Sequence, residues 1–285
     1  MIERRPIAKF FSHAILLLGV AVVAFPLYLA IVASTQSSDQ ILSSNPLSLI
    51  PGNHALETYR IALFGGENSR GGTFPPALPM MWVSLVTAVV IAVGKIAISL
   101  LSAFAIVYFR FPAKGLIFWM IFVTLMLPVE VRIGPTYKVV SDLGMLNSYA
   151  GLTIPLIASA TATFLFRQFF LTVPDELVEA ARMDGASPMR FFWDVLLPLS
   201  KTSIAALFVI QFIYGWNQYL WPLLITTEER MYPVVIGIKQ MISDGDATND
   251  WATIMATAML AMIPPALVVM LMQKWFVKGL VDTEK

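Results

Sequence analysis

Lys95 is the side chain of this sequence whose position most demands a chemical explanation. It lies inside an apolar run, VVIAVGKIAISLL, at residues 89–101. An ammonium at the centre of a lipid bilayer costs about 2.5–3.5 kcal/mol on insertion scales, so it has to face protein or water. Two interpretations are open. Lys95 contacts an anionic solute or helps to hold one state of a helix bundle, or it is only a snorkelling or interhelical lysine bonded to carbonyls.

A second charged position lies at residues 125–135, LMLPVEVRIGP, where Glu130 and Arg132 stand between Pro128 and Pro135. Two prolines this close should break a helix and free carbonyls that only a cavity or neighbouring protein can satisfy. Arg132 is then a candidate anion contact at the outer mouth of a pathway. The alternative is that both charges simply lie at the outer membrane interface.

A polar stripe crosses a later apolar segment, QFIYGWNQYLWPLL, at residues 211–224. The residues that follow helical i, i+3, i+4, i+7 spacing are Gln211, Tyr214, Gly215, Gln218 and Pro222, with Asn217 on the flank. A polar face on an apolar spanning helix must turn away from lipid. It either lines a solute path or makes hydrogen bonds between helices, and for the stripe as a whole we expect a solute path.

The longest polar segment with helical character is PDELVEAARMDGASPMRFFWDVLLP, residues 174–198. Pro174 suits the first turn of a helix, and acidic residues complement the positive end of its dipole. Gly185 can take the left-handed conformation that ends a helix, and Ser187-Pro188 is a cap and first-turn pair that starts another. The segment therefore predicts a helical hairpin. It either lies on the membrane or docks on a protein, and its small apolar patch and acidic residues favour a protein partner.

The amino-acid composition argues against a soluble protein, a nucleic-acid partner, thiolate catalysis and a metal site. The 285 residues are 58% apolar and 13% charged, whereas soluble domains have about 45–50% and about 25%. Most of this chain must therefore have lipid as its solvent. The net charge of +1 argues against nucleic acid as a partner. With no Cys and two His, we expect no thiolate catalyst and no metal site.

Six apolar runs are long enough to cross a hydrocarbon core of about 30 Å as helices of about 20 residues. They lie at about residues 14–33, 82–108, 116–134, 149–166, 204–225 and 251–272. The predicted fold class is an all-α integral membrane protein with six transmembrane helices in a single domain, residues 1–285. The first run is longer than the roughly 7–15 apolar residues of a cleavable signal, so we expect an uncleaved anchor. The outer loop, residues 34–81, predicts turns and one short surface helix near residues 55–64.

The distribution of Lys and Arg predicts the orientation. With a cytoplasmic N-terminus, twelve of these residues fall in inner segments and six in outer loops. This is the sense of the positive-inside rule. Both termini and the hairpin at residues 174–198 are therefore expected on the cytoplasmic side.

The hairpin also carries a recognisable spacing: Glu179-Ala180-Ala181, three residues, Gly185, nine residues, Val195, one residue, and Leu197-Pro198. It resembles the cytoplasmic EAA loop of permease subunits in bacterial binding-protein-dependent ABC importers, with Val195 in place of the usual Ile. The segments RFP at residues 110–112 and WNQYLWPL at residues 216–223 are similar to the carbohydrate-uptake group that includes the maltose permeases. Residues 125–133 and 148–170 resemble permeases for sn-glycerol-3-phosphate within that group.

The resemblance implies the ABC importer permease fold and a heteromeric complex in the bacterial inner membrane. Its implied partners are an ATPase homodimer, a second and different permease, and a periplasmic solute-binding protein. ATP and Mg would be used by the ATPase, and no cofactor is expected in this chain. The residues that the resemblance assigns to ATPase coupling are Glu179, Ala180, Ala181, Gly185, Leu197 and Pro198.

The implied function is alternating-access translocation of a small polar solute, expected to be sn-glycerol-3-phosphate or glycerophosphodiesters, with an uncharged sugar as the alternative. The candidate pathway residues are Lys95, Arg132, Gln211, Tyr214, Asn217 and Gln218. A rival from another class is an integral-membrane lipid-modifying enzyme, for which the inner loops offer no cluster of nucleophiles or carboxylates outside the hairpin. An energy-independent channel would share the polar stripe but not the hairpin.

Overall fold

The structure is a computed structural model that describes residues 6–43, 48–67, 72–124, 129–242 and 249–281, without the side chains of residues 6–8, 129–130 and 275–281. Several positions used above lie outside the described residues. They are residues 125–128 of the expected third span and the side chain of Glu130. Five of the Lys and Arg residues counted for the orientation are also outside: Arg4, Arg5, Arg70, Lys285 and the side chain of Lys278.

The chain divides into two compact units. The first comprises Met1–Leu78 and Gly237–Met262, and the second comprises Pro79–Ile236 and Ile263–Lys285. The expected single permease domain over residues 1–285 stays a prediction. The residues discussed below for the hairpin and the polar cavity all belong to the second unit.

Helices make up most of both units. In chain order they are α1 (Pro6–Thr35), α2 (Ser38–Ser43), α3 (Ala55–Phe64), α4 (Ala77–Tyr108), α5 (Lys114–Val123), α6 (Val129–Asp142), α7 (Tyr149–Thr153), α8 (Ala160–Phe170), α9 (Asp175–Met183), α10 (Pro188–Phe191), α11 (Leu197–Leu199), α12 (Lys201–Trp216), α13 (Leu220–Ile225), α14 (Val234–Met241) and α15 (Trp251–Val281). Single turns of 3-10 or π helix occupy Ile154–Leu156, Phe192–Leu196 and Glu229–Met231. The two described strands, β1 (Gly66–Glu67) and β2 (Thr73–Phe74), pair antiparallel. The short surface helix expected near residues 55–64 is confirmed as α3.

Three described helical segments are long and apolar enough to cross a membrane: Lys9–Thr35, Ala77–Tyr108 and Trp251–Lys274. Two bent helix pairs raise the number to as many as five. The count of six spans therefore stays a prediction, since part of the third lies outside the described residues. In α1 only 6% of the most apolar window is buried inside the protein, so its apolar side chains need lipid around them.

Two of the expected spans are interrupted. In the span expected at residues 204–225, α12 ends at Trp216 and α13 begins at Leu220. The segment at residues 149–166 is a pair of helices, Tyr149–Leu156 and Ala160–Phe170, bent by 47°. Pro155 lies in the 3-10 turn that ends the first of them, and a proline removes one helical hydrogen bond. By contrast, the break expected from Pro128 and Pro135 is not found at Pro135, because α6 continues through it to Asp142, and Pro128 lies outside the described residues. A proline costs the helix one bond, and the remaining bonds can carry it through as a kink.

The segment predicted as a hairpin contains two helices, α9 and α10, and its placement on the cytoplasmic side stays a prediction. α9 begins directly after Pro174, and Asp175 and Glu176 lie in its first turn. Gly185 has φ 70°, the left-handed conformation that the sequence required of it. The Ser187 hydroxyl accepts from the backbone N–H of Arg190 at 3.3 Å and so caps α10.

Aromatic packing fixes the second arm of the hairpin to the end of α4. The ring centroids of Phe104 and Phe192 lie 5.0 Å apart, and those of Tyr108 and Phe191 lie 5.5 Å apart. These rings belong to one buried cluster with Phe166 and neighbouring residues of α8. Such pairs contribute about 0.5–1.5 kcal/mol each beyond the area they bury. The hairpin is therefore held by the helix bundle and is not a free loop.

α4 and α12 approach each other closely at Gly215. A Cβ on Gly215 would lie 2.8 Å from the Cα of Ala88. Small residues let the backbones of transmembrane helices come this near. The close approach stabilises the pair through van der Waals contacts along the helix interface. A side chain at Gly215 can only be accommodated if the helices move apart.

We expect Gly215→Ala to destabilise the folded protein by about 1–3 kcal/mol, the usual cost of overpacking. The added methyl meets a backbone atom of Ala88, which cannot rotate away. The measurement is the Tm of the detergent-solubilised protein. Gly115→Ala in α5 is the matched control, because a Cβ there meets nothing within 4 Å. Equal Tm values for the two variants would contradict the close approach.

Candidate functional site

Lys95 is buried on α4, with 7% of its surface exposed. Its ammonium donates to the side-chain oxygen of Gln211 on α12 at 3.0 Å. It also lies over the ring of Tyr214, 3.7 Å from the centroid. Both partners are neutral, so a hydrogen bond and a cation–π contact hold the charge without cancelling it.

Gln211 and Tyr214 are three residues apart and so share one face of α12. That face is the one turned toward Lys95, as their contacts with its ammonium show. Gln211 is buried, as expected of a polar side chain that turns away from lipid, and Tyr214 is 37% exposed. Lys95 therefore faces protein, as a buried cation must.

A polar cavity of about 700 Å³ opens beside this cluster. Lys95, Gln211 and Tyr214 line it, and Arg132 reaches it from α6. Its hydroxyl-bearing lining residues are Ser102, Thr124, Ser159, Thr161 and Thr163. The structure thus brings four of the six expected pathway residues to one place.

The hydroxyls of α8 were missed by the sequence reasoning. The signal was present as SATAT, residues 159–163, inside an otherwise apolar run. Ser159 caps α8, because its hydroxyl accepts from the backbone N–H of Ala162 at 3.3 Å. The first turn of this helix lines the cavity, so the positive end of its dipole lies beside Lys95 and Arg132.

Asn217 and Gln218 do not continue the face of Gln211. α12 ends at Trp216, Asn217 is exposed, and the Gln218 side-chain amide donates to the Tyr214 carbonyl at 3.1 Å. The predicted stripe from Gln211 to Pro222 is therefore wrong beyond Gly215, because helical spacing has meaning only along a continuous helix. Pro222 lacks the N–H that would bond the Gln218 carbonyl, which favours a break here. A pathway role for Asn217 and Gln218 stays a prediction.

The residues expected to couple to an ATPase fall into two groups. Glu179 and Ala180 are exposed on α9, and Gly185 is exposed at the turn. Ala181 is half-buried against the aromatic cluster, as is Leu197. Pro198 lies exposed in α11, just before a bend of 72° into α12. The first arm of the hairpin, α9, thus has an exposed face. The second arm attaches the hairpin to the helix bundle.

Relatives of this chain match it from end to end. It is 62% identical over 285 residues to a protein of Brucella melitensis named "sn-glycerol-3-phosphate transport system permease protein UgpE", with both chains covered completely. Proteins of the same name from Agrobacterium fabrum and Escherichia coli O1:K1 are 59% and 58% identical, again over 100% of both chains.

A solved structure shares the fold. It is titled "Crystal structure of a bacterial ABC transporter involved in the import of the acidic polysaccharide alginate", and one of its chains aligns with a TM-score of 0.75. The alignment covers 97% of this chain and 99% of that chain at 21% identity. At this identity the likeness shows the fold alone.

The sequence pattern of one family, described as "Binding-protein-dependent transport system inner membrane component", matches residues 95–282. The match begins at the buried Lys95 and includes the complete hairpin at residues 174–198. Members of this family are transport permease subunits and not enzymes. This chain belongs to the family of binding-protein-dependent transport system inner membrane components.

Proposed function

We propose that this chain is a permease subunit of an ATP-driven importer that carries sn-glycerol-3-phosphate across the bacterial inner membrane. The observation that carries the proposal is identity of 58–62% over the full length to proteins named as permeases of that transport system. Glycerophosphodiesters carry the same glycerol phosphate group and are included as solutes. An uncharged sugar is the alternative that the experiment below distinguishes.

The surface of the hairpin supports an ATPase as the direct partner. α9 exposes Glu179 and Ala180, and Met183 is 83% exposed. An exposed apolar side chain beside a small residue and a carboxylate suits a protein groove better than an anionic lipid surface. We place an ATPase homodimer here, with Glu179 making the polar contact and Ala180 allowing close approach. ATP and Mg are bound by that partner and not by this chain.

The remaining partners in the proposed complex are a second, different permease subunit and a periplasmic solute-binding protein. The chain is oriented with both termini in the cytoplasm, as the charge asymmetry of twelve against six Lys and Arg residues favours. The hairpin then lies on the side where ATP is available. Free energy from ATP reaches the membrane by movement of the hairpin.

The packing of the hairpin explains how such movement is transmitted. Phe191 and Phe192 contact Tyr108 and Phe104 on α4, and Leu196 is fully buried in the same cluster. Packed cores rearrange between discrete states and do not deform continuously. A shift of α9 on closure of the ATPase therefore moves α4, the helix that carries Lys95.

Import itself is the first test. The complete importer containing this chain, reconstituted in proteoliposomes with ATP inside, is expected to accumulate labelled sn-glycerol-3-phosphate when its binding protein is present outside. Liposomes without ATP are the control, and excess unlabelled maltose is expected not to compete. Accumulation of maltose in place of sn-glycerol-3-phosphate would reject the proposed solute and keep the permease assignment.

Gly185 provides the second test, because only its backbone conformation is demanding. A Cβ at Gly185 meets nothing within 4 Å, yet φ is 70°. A β-branched residue is a genuine outlier there, whereas Asn tolerates the left-handed region. We expect Gly185→Val to lose most of the uptake and Gly185→Asn to retain most of it. Equal uptake by both variants in proteoliposomes, at equal importer content, would show that the geometry of the turn is not needed for coupling.

A further inference from the structure

We propose that Lys95 and Arg132 form a phosphate-binding site within this subunit, which holds the anionic group of the solute during its passage. The inference deepens the proposed function and rests on it for the identity of the solute. The inference also goes beyond the proposed function, because it gives this particular subunit a direct contact with the transported solute. The juxtaposition of two cations around one polar cavity is the observation behind it.

The charges around the cavity favour an anion. Lys95 and Arg132 both line it, and its described lining residues include neither Asp nor Glu. The side chain of Glu130, two positions before Arg132, is outside the described residues. Two cations facing one cavity repel each other at low dielectric, and a phosphate dianion between them removes that repulsion. Phosphate also matches the five donors of a guanidinium and the point charge of an ammonium.

The contacts of Lys95 leave its ammonium able to bind an anion. An ammonium has three donors, and one of them goes to Gln211 at 3.0 Å. The Tyr214 ring attracts the charge from a second side. Among the described residues, no carboxylate pairs with Lys95, and its hydrogen-bond acceptor is a side-chain amide.

The size and lining of the cavity suit a small phosphoester. Ligand pockets have volumes of about 300–1,000 Å³, and this cavity has about 700 Å³. Hydroxyls of Ser102, Ser159 and Thr161 lie on its wall, where they can meet the hydroxyls of a glycerol moiety. The N-terminus of α8 adds its positive dipole end to the two cations.

The test compares charge variants in the complete importer. Lys95→Met is expected to lower uptake of sn-glycerol-3-phosphate about tenfold, the effect of losing one charge-assisted hydrogen bond. Lys95→Arg, which keeps the charge, is expected to retain more uptake than Lys95→Met. Lys138→Met in α6 is the matched control, since that lysine is exposed and pairs with Asp142 at 3.2 Å. It removes the same charge elsewhere and is expected to leave uptake unchanged.

A binding measurement accompanies uptake. The importer in maltoside detergent, which contains no phosphorus, is expected to broaden the ³¹P signals of inorganic phosphate and of sn-glycerol-3-phosphate without any binding protein. Lys95→Met is expected to abolish the broadening, and Lys138→Met to preserve it. Co-migration of all subunits on size exclusion verifies that each variant assembles.

The outcomes separate the two proposals. If the wild-type importer transports sn-glycerol-3-phosphate and assembled Lys95→Met transports it equally well, the phosphate site is rejected and the proposed function stands. If the wild-type importer does not transport it but phosphate binding still depends on Lys95, the proposed function is rejected and the anion site stands. Should Lys95→Met fail to assemble, Arg132→Gln decides, because Arg132 is exposed. Unchanged uptake and unchanged broadening in that variant overturn the inference.

Discussion

The close approach of α4 and α12 is the constraint on which the second unit depends. Gly215 permits the backbone of Ala88 to come near, and one turn earlier on α12 Gln211 bonds Lys95. The pairing runs in opposite directions along the two helices. Further along α4, Phe104 joins the aromatic cluster that holds the hairpin. The close backbone contact, the Lys95–Gln211 hydrogen bond and the aromatic cluster therefore follow one another along α4.

Lipid as the solvent explains how several hydroxyl side chains on or beside other helices are satisfied. Thr163 and Thr226 donate their hydroxyls to the carbonyls of Ser159 and Pro222, four residues earlier, at 2.9 and 2.7 Å. Ser200 does the same to Leu196 at 2.6 Å, at the bend before α12. Such bonds satisfy a hydroxyl without any water, although they compete with the helix and favour bending. Lys95 is different, because it needs a partner from another helix.

Structural features that depend on a few neighbouring residues were predictable from the sequence. Features that depend on whether a helix continues were not. Gly185 and Ser187 specify their own backbone conformations, so the hairpin followed from the residues alone. The pairing of Lys95 with the face of Gln211 and Tyr214 was half predicted, since each was expected to turn from lipid but their partnership was not visible. Gln218 was misplaced because α12 ends at Trp216. The cavity needed five separate elements to converge, which no single stretch of sequence encodes.

A neutral acceptor beside a buried cation has a consequence for transport. If a carboxylate held Lys95, a solute phosphate would have to displace it, and the charge available for binding would be small. Gln211 and Tyr214 stabilise the ammonium of Lys95 but leave it positive. Each contact is weak enough to rearrange as α4 shifts against α12. In the proposed site, the Lys95 ammonium is therefore stable when no solute is bound, and it can also release a bound solute. Alternating access requires both properties.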